Sequence, residues 1–490
     1  MHCVFGLLQL FCVVGALLVI VPVHQAAPLE PVTDVLDNHC ECHDRGKAID
    51  CSDLIQDGAD TSYLRIQIVC HNLRSAEPLR ALYGRLRSAA PNSPIVVTIN
   101  GLAMKALPAR FFDGISTHIM HLNTSNVSEF DDDVFRGFET KVLDMKTNTP
   151  VAPPLGAIKE IPKLGSLMLH GYKVAVVKKG SFSDDLTTLG LSSCGVHRFE
   201  EDALPRGLVL LNLNSNHDLR PEGLQNVFRK LAKLRSLMLK ETAVTIFNKD
   251  LFMGLKNLIS LFLVDCNIKQ LDDDVFSTLP KLDQLYLGKN ALKEFRFILS
   301  TNVSNLNLDD NNLTALDEEL FKELAGRRLR SLNLNDNGFS DVPTALQHLS
   351  QLGSLSLSGN HISKLNWSAF DGMRKLRSLN LEHNELILIE GQPELPELWS
   401  LDLMGNLLES LHGSLKSLHL GSLNLAANRI EKLPLEELPV TLRSIKLEGN
   451  PIHCDNHSDG DFDRELFEKI AILVKSNHGA PYRDCVRFAY

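Results

Sequence analysis

Tryptophan occurs only twice in this 490-residue chain, at Trp367 and Trp399, and aromatic residues together make up 6% of it. A surface that reads sugars by stacking them on aromatic rings has little material to work with. Lys and Arg never gather into a basic block, so the clustered cations that displace phosphate counterions are missing and nucleic acid is not an expected partner. No G-x-S-x-G, H-E-x-x-H, phosphate-binding loop or dinucleotide fingerprint occurs. Beyond the N-terminal stretch, no segment is long and apolar enough to cross a bilayer. The tail, Val486 to Tyr490, lacks the hydrophobic end of a lipid-anchor signal. A formal charge of -10 is modest for this length.

What is present begins with the apolar run Val4 to Val23, followed by His24-Gln25-Ala26-Ala27-Pro28. An apolar core ending in small residues predicts a secretory signal peptide over 1–26, although no Lys or Arg precedes it and the run is long enough to stay as an anchor. Cleavage gives a secreted, extracellular chain with no membrane span. Eight cysteines then remain: Cys40, Cys42, Cys51 and Cys70 near the start, Cys454 and Cys485 near the end, and Cys194 and Cys266 between. Even-numbered groups at both ends of a secreted chain suggest disulfides. N-x-S/T sequons at Asn123, Asn126, Asn302, Asn312, Asn366 and Asn456 are expected to carry glycans at some positions.

From about residue 96 to 452 one phrase recurs, L-x-L-x-x-N-x-L. Clear copies are Leu285-Leu287-Asn290-Leu292, Leu332-Leu334-Asn337-Phe339, Leu355-Leu357-Asn360-Ile362, Leu379-Leu381-Asn384-Leu386, Leu401-Leu403-Asn406-Leu408, Leu423-Leu425-Asn428-Ile430 and Ile445-Leu447-Asn450-Ile452. Taken backwards, the Asn slot runs through Asn311, Cys266, Thr242, Asn216, Cys194, Tyr172, Asn148, Ser125 and Leu102, giving 16 copies 21 to 26 residues apart. The L-x-L alternation makes a short strand with leucines inward and x residues outward. No repeat can bury its leucines alone, so the strands must stack.

This spacing resembles the leucine-rich-repeat family over roughly three-quarters of the chain. The resemblance implies an α/β-type repeat solenoid, a curved horseshoe with a parallel sheet on its concave face and caps at both ends. It also implies that the slot Asn bonds backbone groups of adjoining turns, with Cys as the accepted substitute. Cys194 and Cys266 are then buried structural thiols. Phenylalanine stands ten residues after the slot at Phe112, Phe135, Phe182, Phe252, Phe276, Phe321 and Phe370, which predicts stacked rings on the convex side. Segments such as Phe112-Asp113-Gly114-Ile115 look like the extracellular class of repeat.

After the signal (1–26), the same resemblance divides the chain into an N-terminal cysteine-containing cap with a first irregular repeat (27–95), the repeats (96–452) and a C-terminal cap (453–490). Of the three N-terminal connectivities it favours Cys40–Cys51 with Cys42–Cys70, and at the other end Cys454–Cys485. His39-Cys40-Glu41-Cys42-His43 has the look of zinc ligands, and Asp455 to Asp463 of half a calcium loop; pairing of the cysteines and the missing bidentate Glu make no metal and no cofactor the expectation.

A solenoid whose sheet faces water is poorly suited to a closed active site, so no enzymatic activity is expected. The outward x residues between 331 and 448, clear of sequons, are the candidate partner-binding set: Asn333, Asn335, Ser356, Asn380, Glu382, Asp402, Met404, Asn424, Lys446 and Glu448. The expected function is protein–protein binding through the concave face, with an extracellular protein as partner. Two other readings stay open. One is a non-catalytic stabilising or regulatory subunit of a secreted enzyme. The other is an innate-immune or glycan recognition protein, for which inner-face aromatics are nearly absent.

Overall fold

The computed structural model describes residues 39–44, 47–49, 66–89, 91–244, 247–411, 414–431 and 438–452. The expected signal segment and C-terminal cap, with Cys51, Cys454, Cys485 and Asn456, lie outside the described residues.

The repeats stack into a solenoid held by one sheet of 19 strands. Two antiparallel strands, His39–Asp44 and Lys47–Ile49, form a hairpin at its start. The first of these pairs antiparallel with Ile66–Leu73, and every later strand of the sheet runs parallel to its neighbour. Register is kept without a slip, for example Leu332 beside Leu355, Leu355 beside Leu379 and Leu379 beside Leu401. In each strand the leucines are fully buried and the residue between them faces away from the core. Because the side-chain period is two, a one-residue slip would expose a whole leucine column. The outer side is built from turns and short helices such as Glu318–Leu324 and Thr344–His348. The longest described helix, Glu77–Ala89, packs against the strands His39–Asp44 and Ile66–Leu73.

The slot asparagines form a buried ladder that stitches each repeat to the one before. Asn337 donates through Nδ2 to Leu334 O of its own repeat and Leu308 O of the preceding one, and its Oδ1 accepts from Leu313 N at 3.0 Å. The same three-way pattern recurs at Asn216, Asn290, Asn311, Asn360, Asn384, Asn406, Asn428 and Asn450. These backbone groups are cut off from water, so each needs a protein partner. From residue 193 onward the residue before the slot takes positive φ in repeat after repeat, as at Ser193, Asp310 and His383, turning the chain out of the sheet.

Cys194 and Cys266 occupy the slot as expected, 1% and 2% exposed, with Sγ directed at Leu169 O and Leu239 O of the preceding repeat. Burial pushes the Cys194 thiol up to about 12 and raises Cys266 in the same direction. A thiol that stays protonated and shielded is a poor nucleophile. Iodoacetamide at pH 8 should therefore leave both cysteines unlabelled in the folded protein and modify them after unfolding in guanidinium, as mass spectrometry of the peptides would show.

Two slot assignments need correction. Asn148 is exposed and Ser125 only half-buried; the buried side chains there are Thr147 and Thr124, one residue earlier. Neither Thr124 nor Thr147 has positive φ, so the outward turn that precedes the slot elsewhere is missing and the preceding residue is turned inward instead. Tyr172 fills the space across these repeats, its hydroxyl hydrogen-bonded to Thr124 Oγ1. Burial raises its pKa, keeping that hydroxyl protonated.

The N-terminal pairing also differs from expectation. Cys40 is bonded to Cys70, not to Cys51, and Cys70 is therefore not Cys42's partner. Strand pairing decides this: Cys40 stands directly opposite Cys70 in the antiparallel ladder, whereas Cys42 faces Ile68. The bond also removes Cys40 from any zinc site.

The phenylalanine column is present but broken. Phe112 stacks on Phe135 and Phe252 leans on Phe276, while between and beyond them aliphatic residues such as Ile158, Leu204 and Leu346 take the position.

Candidate functional site

The sheet face is an extended surface on which residues distant in sequence come together in register. Its middle column is the residue between the two strand leucines, and it changes character along the solenoid. After Thr98 it carries His121 and Asp144, whose side chains meet at 3.0 Å. An apolar centre follows: Met168 lies over Gly190, and after Asn212 come Met238, Phe262 and Tyr286 on consecutive strands. The column then turns polar through Asn307, Asn333, Ser356, Asn380, Asp402 and Asn424, ending at Lys446.

The apolar centre is the part of the face that sequence reading missed. The rings of Phe262 and Tyr286 are parallel within 2° with centroids 4.3 Å apart. Their Cα atoms are direct partners across neighbouring strands, so the rings stand upright like plates along the ladder. They present edges and the Tyr286 hydroxyl outward rather than a flat platform. Met238 packs beside them, 7% exposed. A stacked aromatic pair next to a methionine, ringed by polar residues, is the composition of an interface core. The signal was legible in principle: Phe262 and Tyr286 both occupy outward x positions 24 residues apart, a spacing that becomes one strand step in space.

All ten residues singled out in sequence lie on the sheet or its exit, but they are not equivalent. Asn333, Asn380, Asp402 and Asn424 each accept a hydrogen bond from the backbone N–H two residues on, at Asn335, Glu382, Met404 and Ala426. Asn424 also donates to Asp402 Oδ2 and is 8% exposed. Asn335 Oδ1 accepts from Ser358 N in the next repeat. These side chains hold the strand ends. Ser356, Glu382 and Met404 are half-exposed, and Lys446 and Glu448 are exposed. The sequons Asn126, Asn302, Asn312 and Asn366 are exposed and Asn123 half-buried.

Among the described residues no group of three His, Cys, Asp or Glu side chains is placed to hold a metal ion. No described helix is long and apolar enough to cross a membrane. Asp309 carries a raised pKa from burial and from neighbouring Asp310 and Asp336; it packs over Gly288 beside Tyr286, placing a carboxyl group at the margin of the apolar centre.

This solenoid, with its laddered asparagines and open parallel sheet, has the leucine-rich-repeat fold, and part of the chain matches models of that repeat. The leucine-rich-repeat family model matches residues 301–362, 327–386 and 351–408, and the model of the BspA-type leucine-rich-repeat region matches 224–326. Mouse podocan is 26% identical over 323 residues, covering 64% of this chain and 51% of podocan. Chicken keratocan is 29% identical over 167 residues, 33% of this chain and 46% of keratocan, and Drosophila chaoptin is 32% identical over 213 residues, 42% and 14%. The chain thus spans about half or less of the length of these relatives. Two solved structures share the fold. Drosophila Toll in its complex with Spatzle has a TM-score of 0.56 at 18% identity, covering 79% of this chain and 61% of that one. A leucine-rich-repeat protein of Leptospira interrogans has 0.55 at 23%, covering 87% and 97%.

Proposed function

We propose that this chain is a secreted, non-catalytic binding protein that holds an extracellular protein against its sheet face. The observation that carries this reading is the apolar centre. Met238, Phe262 and Tyr286 form one contiguous patch in the middle of an otherwise polar face, where a desolvated anchor for a partner is expected. The polar columns from Asn333 to Glu448 then act as a hydrogen-bonding arm, with Ser356, Met404, Lys446 and Glu448, and Glu382 beside His383, as the side chains that reach a partner. The likeness to keratocan and podocan supports an extracellular setting, and sequons exposed on the solenoid fit glycosylation there.

The test is chemical cross-linking and capture from native extracellular fluid, with the wild type beside a Phe262→Ser, Tyr286→Ser double variant. Both positions are on the sheet face, outside the leucine core, so the fold should survive; circular dichroism checks this. One protein captured in near-equal amount by the wild type and reduced at least ~30-fold in the variant is the expected result, since a hot-spot aromatic is worth roughly 2 kcal/mol or more. Equal capture by both forms would reject the sheet face as the site.

A further inference from the structure

The edge of the sheet where the strands begin carries a feature invisible in the linear sequence. Two or four residues before the first core residue of five strands, Leu237, Leu285, Leu332, Leu379 and Ile445, the chain places Arg235, Lys281, Arg328, Arg330, Arg377 and Arg443. Apart from Arg328 and Arg330 they are far from one another in sequence, and all are exposed. A continuous backbone ladder aligns the inner of these two rows: Ile259 N donates to Arg235 O, Asp283 N to Ile259 O, Arg330 N to Ser304 O, Gly353 N to Arg330 O, Arg377 N to Gly353 O and Arg443 N to Gly421 O. The cations therefore form a strip one or two side chains wide and, at about 4.8 Å per strand, roughly 40 Å long. Its two carboxylates are already matched, Asp283 to Arg328 at 3.2 Å and Glu397 to Arg377 at 2.8 Å. Arg235, Lys281, Arg330 and Arg443 form no ion pair among the described residues; Arg443 lies over the ring of Trp399, 5.1 Å from its centroid. The opposite edge, where the strands end, has the reverse sign, with Asp309, Asp310, Asp336, Glu382 and Glu448.

From this segregation we infer that the strand-start edge is a docking strip for a linear sulfated polysaccharide, separate from the protein-binding face. Charge complementarity requires an anion, and the shape selects its kind. A line of cations at regular intervals suits a polymer whose charges repeat along its length, whereas an acidic patch on a folded protein is compact. Single-stranded nucleic acid is held by successive aromatic platforms, and this edge offers Trp399 alone. Asn302 sits in the outer row between Lys281 and Arg328 and heads a sequon, so a glycan there would divide the strip.

The experiment uses the full secreted chain carrying Asn302→Gln, with heparin as the probe. Titration at about 0.15 M salt, a concentration that screens scattered surface charges, should show binding that weakens steeply with added salt. Changing Arg235, Lys281, Arg330 and Arg443 to Ser should reduce affinity ~30-fold, about 2 kcal/mol for the four together. Changing Lys173, Lys178, Lys179 and Lys269 to Ser, an equal loss of charge elsewhere, should alter it less than ~3-fold. No binding at that salt, or equal losses in the two variants, overturns the strip. Binding to single-stranded DNA, to phosphatidylserine vesicles or to desulfated heparin as tight as to heparin overturns the assignment of its ligand. The Phe262→Ser, Tyr286→Ser variant of the sheet face should bind heparin like the wild type, which keeps this result independent of the protein-binding reading.

Discussion

Replacing Asn384 by Ala should cost about 3–5 kcal/mol of unfolding free energy, several times more than truncating an exposed residue, because it strands buried groups in two repeats at once. Asn384 is 6% exposed. Its Nδ2 donates to Leu357 O at 2.9 Å and Leu381 O at 3.1 Å, and its Oδ1 accepts from Ile362 N at 3.1 Å. Alanine removes all three while water has no path to replace them. The side chain's net contribution when present is modest; the large term is the desolvation left behind. Equilibrium unfolding in urea measures the total. Hydrogen exchange locates it, since the Ile362 amide should lose protection first, whereas amides in the distant repeats around Ile119 should not change in a chain where each repeat touches only its neighbours. Asn384→Cys is the comparison that isolates the mechanism. Cys266 shows that a thiol at this slot still reaches the preceding repeat's carbonyl, 2.9 Å from Leu239 O. The Cys variant should therefore recover part of the loss. An alanine variant within ~1 kcal/mol of wild type would mean that the ladder is a bystander to leucine packing.

Much of this fold was readable because the repeat converts sequence spacing into one spatial step. Leucine alternation gives the strand, and Asn in a fixed slot gives the turn that ends it, so the register from Leu210 to Lys446 followed directly. Where the slot holds a residue with no such chemistry, the reading failed by one position: at Asn148 and Ser125 the inward group is the preceding threonine, and only backbone φ shows it. The cysteines failed for a different reason. Spacing along the chain does not say which strands lie antiparallel, and the Cys40–Cys70 bond follows from that pairing. Surface chemistry was the least legible part. A scan for local clusters finds neither the Phe262–Tyr286 stack nor the basic edge, because their members, except Arg328 with Arg330, stand a repeat or more apart and meet only after stacking.

Gly171→Ala should destabilise the region from Thr147 to Cys194 by more than about 3 kcal/mol, while Gly180→Ala, nine residues on, should cost only about 1 kcal/mol. Both glycines have positive φ, 81° and 74°, so both substitutions carry the left-handed penalty of an L-residue. They differ in what a methyl group would meet. At Gly180 there is nothing within 4 Å; at Gly171 the new carbon would sit 2.1 Å from Thr147 O and 3.2 Å from Thr147 C. That neighbour is backbone, so no rotamer change can relieve the clash. Thr147 N also bonds His170 O, so moving Thr147 aside pulls on the ladder between the two repeats. The displacement would reach Tyr172, which follows Gly171 and spans to Thr124 through its hydroxyl, and the buried tyrosine should become more exposed. Differential scanning calorimetry separates the two variants, and the near-ultraviolet circular dichroism of tyrosine reports whether Tyr172 has been freed. Equal costs at the two positions would show that the backbone gives way cheaply here. The close approach of Gly171 to Thr147 would then not be what fixes the turn where the regular Asn ladder has yet to begin.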